Sequence, residues 1–146
     1  MTPALGIRDG FADWLARQAL WPAVIVAAVL AAAPLAALAG AVAPSTWPMA
    51  IIGVVATVGG LAVLALSALI RFDAALFYLM ASYDDEATGG AAVDDVLARM
   101  RLKPQPARVR GLPERVAGAL RLVFRQRLAL SVFVLAVAAA PLAFQS

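Results

Sequence analysis

Side chains able to do chemistry crowd into one stretch of this sequence. Five acids fall between Asp84 and Asp95 (Asp84, Asp85, Glu86, Asp94 and Asp95), and nine positive charges follow from Arg99 to Arg127 with Glu114 the one acid among them. Clustered carboxylates are oxygen ligands suited to a hard cation. The EF-hand spacing is absent, however, and a solvated loop followed by the acidic start of a helix accounts for the same residues. The basic run has the charge to meet nucleic acid but lacks the interleaved aromatics such surfaces carry. Attraction to anionic lipid headgroups, worth about 1 kcal/mol per basic residue near the surface, is the simpler expectation. An acidic face on a partner protein comes next, and no nucleic acid is expected.

The chain contains no histidine and no cysteine. Disulfides, Cys/His zinc sites, iron–sulfur clusters, imidazole-ligated haem and Cys–His or Ser–His nucleophile pairs all need those side chains. The expectation is therefore a protein that is not an enzyme, with no catalytic residue, no cofactor and no metal.

What would position the charged residues is apolar. Of 146 residues 64% are hydrophobic and 14% charged, against about half and about a quarter in soluble domains. Crossing a hydrocarbon core of about 30 Å takes about 20 apolar residues as a helix. Three segments qualify: 19–43 and 49–70, both without charge, and the shorter 128–144. The fold class expected is an all-α membrane protein with three transmembrane helices and a helical cytoplasmic segment between the second and third. Residues 1–18 read as an N-terminal amphipathic interfacial segment, 19–70 as a transmembrane hairpin, 71–127 as the cytoplasmic segment, and 128–146 as the third span and C-terminus.

The linker Pro44–Pro48, "PSTWP", stops both neighbouring helices, because proline lacks the amide donor and fixes its own φ. Trp21 and Trp47 stand where interfacial aromatics belong. Ala41–Ala43 resembles a signal-peptide cleavage site. The apolar run before it is much longer than the 7–15 residues of a signal core, and Asp9 and Asp13 precede it, so retention is expected.

Charge sets the orientation. Arg8 and Arg17 precede the first span, the hairpin carries no charge, and residues 71–127 hold the other ten basic residues. All 12 thus fall on the side that the positive-inside rule assigns to the cytoplasm. The expected arrangement is a multi-pass protein of a bacterial inner membrane, N-terminus inside and C-terminus in the periplasm. The bacterial assignment rests on codon bias: the usage, 36 Ala and 11 Arg against one Lys, suggests a GC-rich genome.

Within the cytoplasmic segment, "RFDAALFYLMASY" (Arg71–Tyr83) should continue the second helix. Asp84–Gly90 should end it, with Gly89–Gly90 as flexible punctuation. Residues 91–102 read as a short helix with Val93, Val96, Leu97 and Met100 on one stripe, and Lys103–Pro106 as a break. Pro113 suits a first helical position. The helix after it places Val116, Ala119, Leu120, Val123 and Phe124 on one side and Arg115, Arg121 and Arg125 on the other, an amphipathic pattern suited to the headgroup plane. Arg115, Arg121, Arg125 and Arg127 are the expected lipid or partner contacts. The N-terminal segment is a weaker version, with Ile7, Phe11, Trp14 and Leu15 as its apolar side.

"AAAPLA" occurs twice, at Ala31–Ala36 and Ala138–Ala143. Pro34 lies near the middle of its span and Pro141 near the end of its own. Three spans cannot form the matched halves of an inverted repeat, so the repetition is compositional. Pro34 should kink the first helix. Small residues at spacing four let membrane helices approach closely. In the first span the Ala lines, one of which ends at Gly40, follow from composition. In the second, Gly53, Ala56, Thr57 and Gly60 are the expected helix-packing residues.

No span holds an Asp, Glu, Lys or Arg, and the polar groups within them are Thr57, Ser67 and Ser131. Ion and proton pathways show themselves as intramembrane ionisable residues. The expected function is an accessory or assembly subunit of a larger membrane complex, acting by helix packing and cytoplasmic contacts. Its expected partners are other membrane subunits, anionic phospholipids or further copies of itself. Two alternatives are a transport-related component that forms a pathway only as an oligomer, and a membrane-anchored signalling adaptor.

Overall fold

In a computed structural model, which describes residues 3–38, 47–100 and 111–143, the chain forms four helices and, among the described residues, no strand. They are α1 (Pro3–Leu38), α2 (Trp47–Ala81), α3 (Glu86–Arg99) and α4 (Leu112–Ala143). Three of them, α1, α2 and α4, are long and apolar enough to cross a membrane, over Gly10–Ala33, Met49–Ala81 and Leu112–Pro141. The all-α class with three helices suited to crossing a membrane, read from the sequence, is the one observed. At 1.5 Å per residue these three helices measure about 54, 52 and 48 Å, well beyond a core of about 30 Å. The excess is the charged part of each: Arg17 and earlier in α1, Arg71 and later in α2, Arg127 and earlier in α4.

The stretches that flank the apolar runs are therefore ends of long helices, as expected for the residues after Arg71. Residues 3–18 belong to α1, and the amphipathic stretch from Leu112 runs on to Ala143 as one helix. α4 is continuous from Leu112 to Ala143, so no turn or loop separates a headgroup-plane piece from a span. α1 includes Pro22 and Pro34, and α4 includes Pro141. Each proline leaves the carbonyl four residues back without its intrahelical donor, yet the helix resumes beyond it. The expected hairpin residues Pro44–Thr46, Gly40 at the end of the alanine line, the break at Lys103–Pro106 and Phe144 at the end of the third span lie outside the described residues.

Two compact units divide the chain. The first comprises residues 1–18 and 69–122, the second 19–68 and 123–146. Buried in the first are Ala12 and Leu15 of α1, Ile70, Ala74, Phe77 and Met80 of α2, and Val93 and Leu97 of α3. Phe11 stacks on Trp14 at 5.8 Å between ring centroids and meets Phe77 edge-on at 5.1 Å, the two geometries aromatic quadrupoles favour. Tyr78 donates its hydroxyl hydrogen to the Asp13 carboxylate, joining α2 to α1.

At the corner between α2 and α3 the structure departs from the expected punctuation. Asp85 caps α3, accepting from the Thr88 backbone N–H at 2.8 Å and the Thr88 hydroxyl at 2.7 Å. Helix α3 thus begins at Glu86, earlier than the expected residue 91, and Gly89 and Gly90 lie inside it, buried. The reason is steric. A Cβ on Gly89 would stand 2.7 Å from the Met80 carbonyl oxygen and 3.0 Å from Met80 Cγ. Glycine lets α3 fold back onto the last turn of α2, a close approach rather than flexibility. Of the expected α3 stripe, Val93 and Leu97 are buried, Val96 is half-buried and Met100 is exposed.

The second unit has a small core of Val26, Val63 and Phe133, one residue from each of α1, α2 and α4, with Val29, Leu30, Ala56, Leu64, Ala129 and Leu130 packed around it.

Candidate functional site

Within the second unit α2 and α4 run antiparallel, since Gly59 and Gly60 meet Phe133 while Ser67, further along α2, meets Gln126, earlier in α4. The contact is built on absent side chains. A Cβ on Gly60 would come within 3.1 Å of Leu30 Cδ1 and of Val26 Cγ1, and 3.2 Å of Phe133 Cε2. Ala56, one turn earlier, packs against the same cluster. Gly53 and Thr57 lie elsewhere on α2. Both are exposed, and nothing stands within 4 Å of where a Gly53 Cβ would be. The four small residues thus divide: Ala56 and Gly60 meet α1 and α4, and Gly53 and Thr57 face outward.

Every hydroxyl read from the spans is turned onto its own helix. Thr57 donates to the Gly53 carbonyl at 2.8 Å, Ser67 to Val63 at 2.7 Å and Ser131 to Arg127 at 3.0 Å. Such i−4 bonds satisfy a hydroxyl in a medium without water. Ser67 also accepts from Gln126 Nε2 at 2.7 Å, and Gln126 is fully buried with its Oε1 unpaired. The sequence reading missed Gln126 because it started the third span at Leu128. Its signal was register. Ala119, Val123, Gln126 and Phe133 recur at spacings of four, three and seven, and all four are buried. Leu120 and Phe124, expected on the same side, are exposed. The buried seam of α4 is therefore narrower than its apolar face.

In the first unit the charges form a lock between α3 and α4. The Arg115 guanidinium donates to Asp94 Oδ1 at 2.7 Å and to the Gly90 carbonyl at 3.2 Å, with both charged side chains almost wholly buried. The Leu112 backbone N–H, an unpaired donor in the first turn of α4, is met by Glu86 Oε1 at 2.9 Å. A cavity of about 120 Å³ lies nearby, walled by Leu76, Phe77, Met80 and Val93 with Asp73 and Glu114 among its lining. The acid cluster of the sequence thus disperses into separate duties. Asp85 caps, Glu86 reaches α4, Asp94 pairs with Arg115, and Asp95 pairs with Arg99 at 2.9 Å on the surface. Of the four arginines expected at a lipid or partner, Arg115 is occupied internally, whereas Arg121, Arg125 and Arg127 are exposed.

No family model, curated protein or solved structure matches the chain.

Proposed function

We propose that this protein is an accessory or assembly subunit of a larger membrane complex, seated in a bacterial inner membrane with its N-terminus and the segment 71–127 in the cytoplasm and its C-terminus in the periplasm. The observation that carries the reading is the outward face of α2 at Gly53 and Thr57. Gly60 is consumed by contacts inside the bundle, but the space before Gly53 is open, and membrane helices associate where small residues let backbones approach. Thr57 is exposed with its hydroxyl bonded to its own helix, so the face offers a partner helix packing surface without an unmet polar group. The distribution of charge supports the orientation, with all 12 basic residues on one side of the spans. The absence of ionisable residues from the apolar runs 19–43, 49–70 and 128–144 supports packing rather than transport as the role.

Purification in mild detergent from its native membrane tests the proposal. The expected result is recovery with one or more other membrane proteins at fixed stoichiometry, and loss of that association in Gly53→Leu. Recovery as a lone chain in every detergent, with Gly53→Leu indistinguishable from wild type, would contradict it.

A further inference from the structure

Between α2 and α4 the second unit carries an open groove of about 530 Å³. Its floor is made of small residues, Gly59, Ala62 and Ala129, and its rims of exposed Val54, Val58, Leu128 and Val132. The lining is apolar apart from one residue. Arg125, exposed and without an ion pair among the described residues, stands at the end nearest the charged part of α4.

We infer that this groove seats one anionic phospholipid of the cytoplasmic leaflet, an acyl chain lying along the floor and the headgroup phosphate on Arg125. The lining and the charge point to this occupant. The groove is hydrocarbon along its length with a single cation at one end, the complement of an amphiphile with an apolar tail and an anionic head. A guanidinium at the edge of the hydrocarbon is costly unless it reaches the interface or finds an anion, and it binds phosphate oxygens through paired N–H donors. A partner helix would have to bring its own carboxylate to that depth, whereas every phospholipid carries a phosphate there, and in an anionic one no headgroup cation offsets it. The cytoplasmic placement rests on the orientation proposed above; the groove and its arginine do not depend on the subunit role.

Native mass spectrometry of the full chain released from detergent tests the site, with phosphatidylglycerol and phosphatidylcholine of identical acyl chains as probes. The expected result is a one-to-one phosphatidylglycerol adduct that survives activation which strips phosphatidylcholine. Arg125→Gln should weaken that adduct about fivefold, the loss of one interfacial cation, and Arg125→Lys should keep part of the preference. Ala62→Leu, which fills the floor, should weaken both lipids while leaving the headgroup preference in place. Equal retention of the two lipids, or phosphatidylglycerol retention unchanged in Arg125→Gln, would overturn the site. So would a homodimer in place of the lipid adduct that Ala62→Leu dissociates, because the occupant would then be a second copy. None of these results bears on the association through Gly53, which is read out separately by co-purification.

Discussion

Ser67 and Gln126 show how a membrane protein places polar atoms where water is absent. Each has a hydrogen bond to the other, yet their stakes differ, because Ser67 also bonds the Val63 carbonyl while Gln126 keeps a buried, unpaired Oε1. Removing one partner of a buried hydrogen bond leaves the other unsatisfied, at about 1–3 kcal/mol; removing the needy group itself can be nearly neutral. Ser67→Ala should therefore destabilise the bundle by about 1–2 kcal/mol, and Gln126→Leu should change it by less than about 1 kcal/mol in either direction. Detergent-denaturation midpoints of the two variants measure this, and a larger loss in Gln126→Leu would reverse the assignment. Residues of this kind were only partly legible in the sequence. The three hydroxyls could be read because they interrupt apolar runs. Gln126 could not, because it adjoins charged residues and only its register with Val123 and Phe133 marks it as internal. Gly89 was misread for a related reason: glycine signals both a flexible turn and a close approach, and the Met80 carbonyl that decides between them is nine residues away.

At the scale of helices, length and hydropathy were legible and continuity only in part. The apolar runs defined three spans and the residues after Arg71 read as a continuation of the second helix, but the stretches before Ala19 and Leu128 were assigned to the interface because composition changes at Arg17 and Arg127 while backbone propensity does not. Two faces of α2 then take different roles. Gly60→Leu should unfold the α1–α2–α4 contact itself, since even a Cβ there lies 3.1 Å from Val26 and Leu30. Gly53→Leu should leave thermal stability unchanged and remove only association with other subunits. Unfolding midpoints and co-purification measured on the same two variants separate the roles; equal destabilisation by both would place Gly53 inside the fold. The α3–α4 lock is the second device at this scale. Deleting one member of a buried ion pair strands the other charge, at about 3–5 kcal/mol. Asp94→Ala should show a loss of that order in the unfolding midpoint, and Asp94→Leu with Arg115→Met should recover most of it. A double variant as unstable as the single one would mean that Arg115 is held by the Gly90 carbonyl and its other contacts more than by Asp94.

For the whole molecule, three long helices each carry one charged end, and the positive-inside rule would put those ends on a common side of a membrane. Helices of about 48–54 Å have room to cross the hydrocarbon and continue beyond it, so spans and charged ends need no intervening turns. The threading proposed on that basis is three crossings, with segment 71–127 inside. The absence of native cysteine makes it directly measurable. Single cysteines are introduced at Ser45, Ala87 and Ser146, and intact cells are treated with a membrane-impermeant maleimide. Ser45→Cys and Ser146→Cys should react at once, and Ala87→Cys should react only after the membrane is permeabilised. Labelling of Ala87→Cys in intact cells, or protection of Ser146→Cys, would contradict the threading and with it every assignment of sides made from charge.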